Sequence, residues 1–332
     1  MFARAVAAAA IVLGACAGPA AAASPFASQW ALGSLKAGAA WKHSTGSHAL
    51  VAVLDTGVAL QRRELRGRIW TNPAEIPGNG IDDDHDGVID DVHGADFVNG
   101  DGVPADDNGH GTHVAGIIAA HGVVRGLAPS ATILPVKVLG ADKSGNAHEL
   151  AQGIEYAIAR GARILNVSVN GDGSSDELES AVRDAQAAGA VIVASAGNDG
   201  RNLGAWPSYP VSYPERAVIG VGASAAGGAR ASFSNYGPGV DVTAPGADIV
   251  SLGFPGFALR SGTSMAAAYV SATLALEAAA APALPVDVLG IALLRSERAG
   301  ALDAGAAVKA VAAPAPRHKR RHARRHAARA RS

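Results

Sequence analysis

Along the middle of the chain, short solid apolar runs alternate with longer amphipathic ones. Ala49–Leu54, Thr132–Val138, Ile164–Val169, Val191–Ser195 and Ala217–Val221 are rich in β-branched residues and bounded by Gly, Pro or Asp. Runs of this length with no polar alternation predict strands buried on both faces. Between them, ELAQGIEYAIA (Glu149–Ala159) and ELESAVRDAQAA (Glu177–Ala188) repeat their apolar positions at helical spacing and end near Gly161 and Gly189. Strand, helix and strand in succession predict an α/β domain with a mostly parallel central sheet and helices on both faces. In such sheets, active sites lie at the carboxyl ends of the strands.

Three polar residues fall at the edges of these elements. Asp55 ends the first strand, in VAVLDTGV. His110 opens a helical run after a Gly-rich turn, in NGHGTHVAG. Ser264 lies in SGTSMAAAYV, where Gly262 and Thr263 lead into another helix. A serine hydroxyl is a weak nucleophile at neutral pH; it needs a base to take its proton and a carboxylate to orient the base. The three residues supply those roles in the order Asp, His, Ser. The nearby His113 leaves a zinc reading open in principle, but Gly111 and Thr112 stand where HExxH would carry its Glu.

Four segments then resemble, in order, the signature stretches of the subtilisin-like serine peptidases (subtilases): VAVLDTGV, GHGTHVAGIIAA, VIVASAGNDG and SGTSMAAA. LAPSATILPVKVLGADKSGN, ILNVSVNG and ASFSNYGPGVDVTAPG agree as well, so the resemblance runs from about Ser28 to Val308. It implies a three-layer fold and a secreted endopeptidase working through an acyl-enzyme. Asp55 would orient His110, His110 would act as base and then acid, and Ser264 would attack. Asn198 would donate its side-chain amide to the oxyanion. Substrate would pair along Ser144-Gly145 and Ser168-Val169-Asn170, an edge contact that reads side chains weakly. Asn170 stands where the family has a small glycine. His113 would pack rather than react, and WPSYPVSYPERAVIGVG resembles a turn with a cis bond at Tyr209-Pro210. The rival from another class is an inactive peptide-binding relative that docks on anionic surfaces.

The sequence departs from the family pattern in places. Ser28–Leu54 already resembles the start of the mature domain, so no separate inhibitory propeptide is expected. Ala268, Tyr269 and Ala272 replace the usual Pro, His and Gly after the serine. AAHGVVRGLAP is short for the usual calcium loop, and Glu64 replaces its Asp ligand, so that site is expected to be lost. AVIGVGASAAGG carries Gly220, Gly222 and Ala225 at dinucleotide-fingerprint spacing, but no helix N-terminus follows to hold a pyrophosphate.

The ends differ from the middle. Residues 1–23 have one Arg4, an apolar run and then alanines, the layout of a signal peptide cleaved after Ala23. Leu13-Gly14-Ala15-Cys16 also resembles a lipobox, which would make Cys16 a lipid anchor. Cys16 is the one cysteine, so no disulfide braces the domain expected over 24–312. Residues 313–332 form a basic tail with eight Lys/Arg and no acid; against a net charge of −1, they leave −9 for the rest. Such a tail suits anionic surfaces but no specific nucleic acid. A secreted or periplasmic monomer acting on protein or peptide substrates is the expectation.

Part of that −9 lies in NPAEIPGNGIDDDHDGVIDDVHG. Asp82, Asp84 and Asp86 have the 1-3-5 spacing of a calcium loop, with Gly87 at the turn position and the Val88 carbonyl at position 7. His93 takes the place of an EF-hand's closing Glu, so Asp90 or Asp91 would have to complete the shell. A solvated acidic loop is the bland alternative. No cofactor is expected for catalysis; a structural calcium is.

Overall fold

The computed structural model describes residues 29–312. The expected signal peptide with its Ala23 and Cys16 processing alternatives, and the basic tail from residue 313, lie outside the described residues. Two short helices open the fold, α1 (Trp30–Ser34) and α2 (Ala37–Ala40), followed by strand β1 (Leu50–Asp55) and β2 (Ala95–Asp96). Then come α3 (His110–Ala119), β3 (Thr132–Lys137), α4 (Ala147–Ala159), β4 (Ile164–Val167), α5 (Asp176–Ala187), β5 (Val191–Ser195), β6 (Val218–Ser224) and β7 (Val242–Pro245). A hairpin, β8 (Ile249–Leu252) and β9 (Phe257–Arg260), leads to α6 (Thr263–Ala280), α7 (Val286–Ser296) and α8 (Ala304–Val311).

Seven strands form one sheet in the order β2-β3-β1-β4-β5-β6-β7, every pair parallel. Successive β1 side chains point to opposite faces. Val51 and Val53 join the core shared with α3, α6, α7 and α8, whereas Ala52 and Leu54 join the core under α4 and α5. Both faces are therefore dry, which explains the solid apolar runs. Each fully buried Val or Leu contributes about 1.5–3 kcal/mol. The chain crosses from β1 to β3 on one side and to β4 on the other, so the sheet's switch point lies at the end of β1. That is where the carboxyl ends of the strands open a crevice.

The expected strands appear within three residues at each end. α4 starts earlier than expected because Asn146 and Glu149 form a capping box around its first turn. Ser175 caps α5 in a similar way, accepting from Leu178 N–H. α6 has no polar face because it is buried on all sides from Thr263 to Glu277. Ala268, Tyr269 and Ala272 are all buried in it. Tyr209-Pro210 is cis, as the turn resemblance implies, and Phe254-Pro255 is cis as well. Gly220 and Gly222 lie inside β6, and a Cβ on Gly220 would sit 1.7 Å from the Gly239 carbonyl, so close packing accounts for that glycine. Glu64 is buried and paired with Arg62 at 3.0 Å.

Candidate active site

Each site residue sits where a regular element begins or ends at the switch point. Asp55 is the last residue of β1 and is wholly buried. His110 is the first residue of α3. Its Nδ1 lies 2.7 Å from Asp55 Oδ1, which also accepts the Thr56 N–H at 2.7 Å. This approach requires Gly111, since a Cβ there would fall 2.1 Å from the Gly57 carbonyl and 3.1 Å from Asp55 Cβ. Asp106 holds the turn: one oxygen accepts from Thr56 Oγ1 and the Gly109 N–H at 2.8 Å, the other from the Thr112 N–H at 2.9 Å. Thr56 Oγ1 in turn accepts the Gly111 N–H at 3.0 Å. From β3, buried Lys137 reaches the Thr56 carbonyl at 3.1 Å and Asp107 at 2.8 Å.

Ser264 is the second residue of α6, 6% exposed, and shares a cleft of about 380 Å³ with His110 and Asn198. Its Oγ donates to the Ser168 carbonyl at 3.4 Å; among the described residues no hydrogen bond joins it to His110. Catalytic pairs of this kind commonly tighten only around substrate. Asn198 follows β5, and its Oδ1 accepts from Thr263 N–H at 2.9 Å and Thr263 Oγ1 at 3.2 Å. With the oxygen anchored, the Nδ2 hydrogens are left to face the cleft. Asn235 braces this turn by donating to Ala196 O at 2.9 Å and accepting from Arg201 N–H at 2.9 Å.

His113 is separate from this chemistry. It is wholly buried, and its Nε2 faces the carbonyls of Ile249 at 3.2 Å and Ala258 at 3.3 Å. Burial, helped by the charge of Arg260, pushes its pKa down to about 3. A neutral ring donating to both strands of the hairpin ties α3 to β8 and β9.

Ser144, Gly145, Ser168, Val169 and Asn170 line the same cleft. Asn170 Nδ2 donates to Ser208 Oγ at 3.1 Å and lies 3.1 Å from where a Cβ on Gly197 would be. It thus ties the segment after β4 to Ser208 at the edge of the cleft. Asn166, invisible as a site residue in sequence, donates to Ser168 Oγ at 2.8 Å and accepts from Ser271 at 2.9 Å, fixing β4 to α6. A larger cavity, about 770 Å³ between α7 and the 207–219 segment, contains no histidine.

The acidic loop divides. Asp84 and Asp86 are both held by Arg160, and Asp91 by Tyr156 and by Asn72. Burial pushes the Asp86 and Asp91 pKa values up. Asp84 goes down: burial opposes this, but the bonds from Arg160 and Asn72 outweigh it. Asp90 departs from the expected ligand set. It turns the other way and accepts the N–H groups of Gly78 and Gly80 at 2.7 and 2.9 Å.

The subtilase family model matches residues 46–311. The chain belongs to the subtilase family. It is 40% identical to subtilisin Savinase of Lederbergia lenta over 254 residues, covering 74% of this chain and 82% of that protein. It is 37% identical to thermitase of Thermoactinomyces vulgaris, covering 73% and 79%. An alkaline protease of Shouchella clausii is 40% identical, and the match spans 58% of that longer protein. The structure of a cold-adapted subtilisin-like serine proteinase aligns with a TM-score of 0.63 at 30% identity, covering 79% of this chain and 86% of that one. This subtilase is accordingly a serine-type peptidase with the family's α/β fold.

Proposed function

We propose that this subtilase is a secreted endopeptidase that cleaves protein or peptide substrates with Ser264 as nucleophile. The observation that carries the reading is the buried 2.7 Å contact between Asp55 and His110 Nδ1, in one cleft with Ser264 and Asn198. With Nδ1–H donated to Asp55, His110 presents Nε2 as an acceptor. Nε2 takes the Ser264 proton as Oγ attacks the scissile carbonyl, and the resulting oxyanion receives hydrogen bonds from Asn198 Nδ2 and the Ser264 N–H. His110 then protonates the leaving amine, and water releases the acyl group by the same steps in reverse. Substrate backbone runs between Ser144-Gly145 and Ser168-Val169-Asn170, with no cofactor in the chemistry.

Three further parts belong to the same proposal. Residues 1–23 direct export, with Cys16 lipidation as the minor route; among the described residues no helix is long and apolar enough to cross a membrane. The tail of 313–332 gives the working monomer affinity for anionic surfaces. The acidic loop holds a structural calcium. In the calcium-loop pattern, Asp82 fits because its two oxygens accept the N–H groups of Asp86 at 3.2 Å and Gly87 at 2.9 Å, which closes the loop.

Casein or fluorogenic-peptide hydrolysis, with and without a serine-reactive inhibitor, tests the main reading. Wild type should cleave and be inhibited. Ser264→Ala should lose turnover at a nearly unchanged melting temperature, because its hydroxyl makes one long contact, 3.4 Å to the Ser168 carbonyl. Near-wild-type cleavage by the purified variant would remove Ser264 from its role and favour the peptide-binding alternative.

A further inference from the structure

The calcium reading fixes a loop but not a ligand set, and the buried oxygens of that loop do. Five acidic residues here form two overlapping carboxylate groups, Glu75–Asp82–Asp84 and Asp84–Asp86–Asp91, with ligand atoms in each within 4.8 Å of one another. The second group is already engaged by donors and one cation. Arg160 bonds both Asp84 and Asp86, Tyr156 donates to Asp91, and Asn72 donates to Asp84 and Asp91 at 3.0 and 2.7 Å.

The first group is different. Glu75 is 6% exposed; its Oε1 accepts the N–H groups of Asp83 at 3.0 Å and Asp84 at 3.2 Å. Its Oε2 is buried with no partner, and so is Oδ1 of Asp84. A buried carboxylate oxygen without a donor is costly, and neighbouring carboxylates repel. No positively charged side chain bonds Glu75 or Asp82 among the described residues. Arg160 faces Asp84 through Oδ2, leaving Oδ1 for the other side.

We propose that Glu75, Asp82 and Asp84 bind one hard divalent cation, with Arg160 as a fixed counter-charge behind Asp84. The donors are all carboxylate oxygens, with no imidazole or thiolate among them, which excludes a preference for zinc or copper. Calcium fits better than magnesium because the three donors come from one irregular loop, whereas magnesium demands a near-ideal octahedron. Water and backbone carbonyls complete the shell. Asp90 belongs to neither carboxylate group and is not a ligand. Glu75 lies seven residues before the 1-3-5 run, so spacing alone does not reveal it. This assignment rests on the calcium reading above but not on peptidase activity.

The test uses the full chain carrying Ser264→Ala, to stop self-cleavage, stripped of metal. Calcium is titrated by calorimetry, and melting is followed in chelator and in calcium. We expect one site and a higher melting temperature in calcium. Glu75→Gln should weaken calcium binding about tenfold or more, as should Asp82→Asn, whereas Asp90→Asn should leave it within about threefold. In chelator, Glu75→Gln should melt at or above the parent, since it removes a buried unpaired charge; a residue that is only structural would melt lower in both conditions. A parent that binds no calcium ends both the calcium reading and this one. Calcium binding that survives Glu75→Gln but is lost in Asp90→Asn overturns this assignment alone.

Discussion

At the scale of single residues, Asn198 shows how one atom's anchor assigns another atom's job. Thr263 holds Oδ1 from two donors, so the amide cannot flip without losing both bonds. In the proposed mechanism the Nδ2 hydrogens are thereby set in advance for charge that develops only in the transition state, where such donors act most strongly. Asn198→Ala should lower kcat by about 10²–10³-fold with little change in KM, the range found for loss of one such donor in a subtilisin. Steady-state kinetics on one peptide checks this. A matching rise in KM at unchanged kcat would instead make Asn198 a ground-state contact.

At the scale of elements, the strand ends do the positioning: β1 brings Asp55, β4 leads to Ser168 and β5 leads to Asn198. The cleft at these ends is lined by Asn170, which is bonded to Ser208. Asn170→Gly should open it. The variant should gain on peptides with Phe or Leu before the scissile bond relative to Ala, by about tenfold or more in the ratio of kcat/KM values. An unchanged ratio would show that the amide swings clear of substrate.

The elements also show what the sequence could and could not reveal. Buried strands and the Asp55, His110, Ser264 and Asn198 stretches were legible because their signals are local: solid apolar runs and short motifs. Asp106, Asn166, Lys137 and Asn235 were not, because each works by joining segments distant in the chain. β7, β8 and β9 have only four residues each and no distinctive period. The 1-3-5 acidic spacing drew attention to the acidic loop, yet Asp90 faces a turn and buried Glu75 went unnoticed. Burial is a property of the fold and leaves no mark in spacing.

At the scale of the whole molecule, two buried groups set opposite pH limits on stability. His113 is held neutral with a pKa of about 3 against an ordinary 6.5. Between those values the unfolded chain binds more protons, so stability falls as pH drops through that window. Glu277, wholly buried in α6 with both oxygens unpartnered, is pushed by burial up to about 9 from 4.5. Between those values the folded chain binds more protons, so stability falls as pH rises, by up to about 1.4 kcal/mol per pH unit. Glu277→Gln should therefore match wild type near the acid end of this window and melt increasingly higher than wild type toward its alkaline end. Thermal melts across that range check it, and a constant offset at every pH would contradict the assigned protonation.

In the proposed mechanism the switch-point cleft activates Ser264 through His110. The most direct measurement is covalent: incubate the purified protein with a fluorophosphonate and map the adduct by mass spectrometry. The account predicts a single adduct on Ser264, formed much more slowly in His110→Ala and absent from Ser264→Ala. An adduct on any other residue, or equally fast labelling of Ser264 without His110, would contradict it.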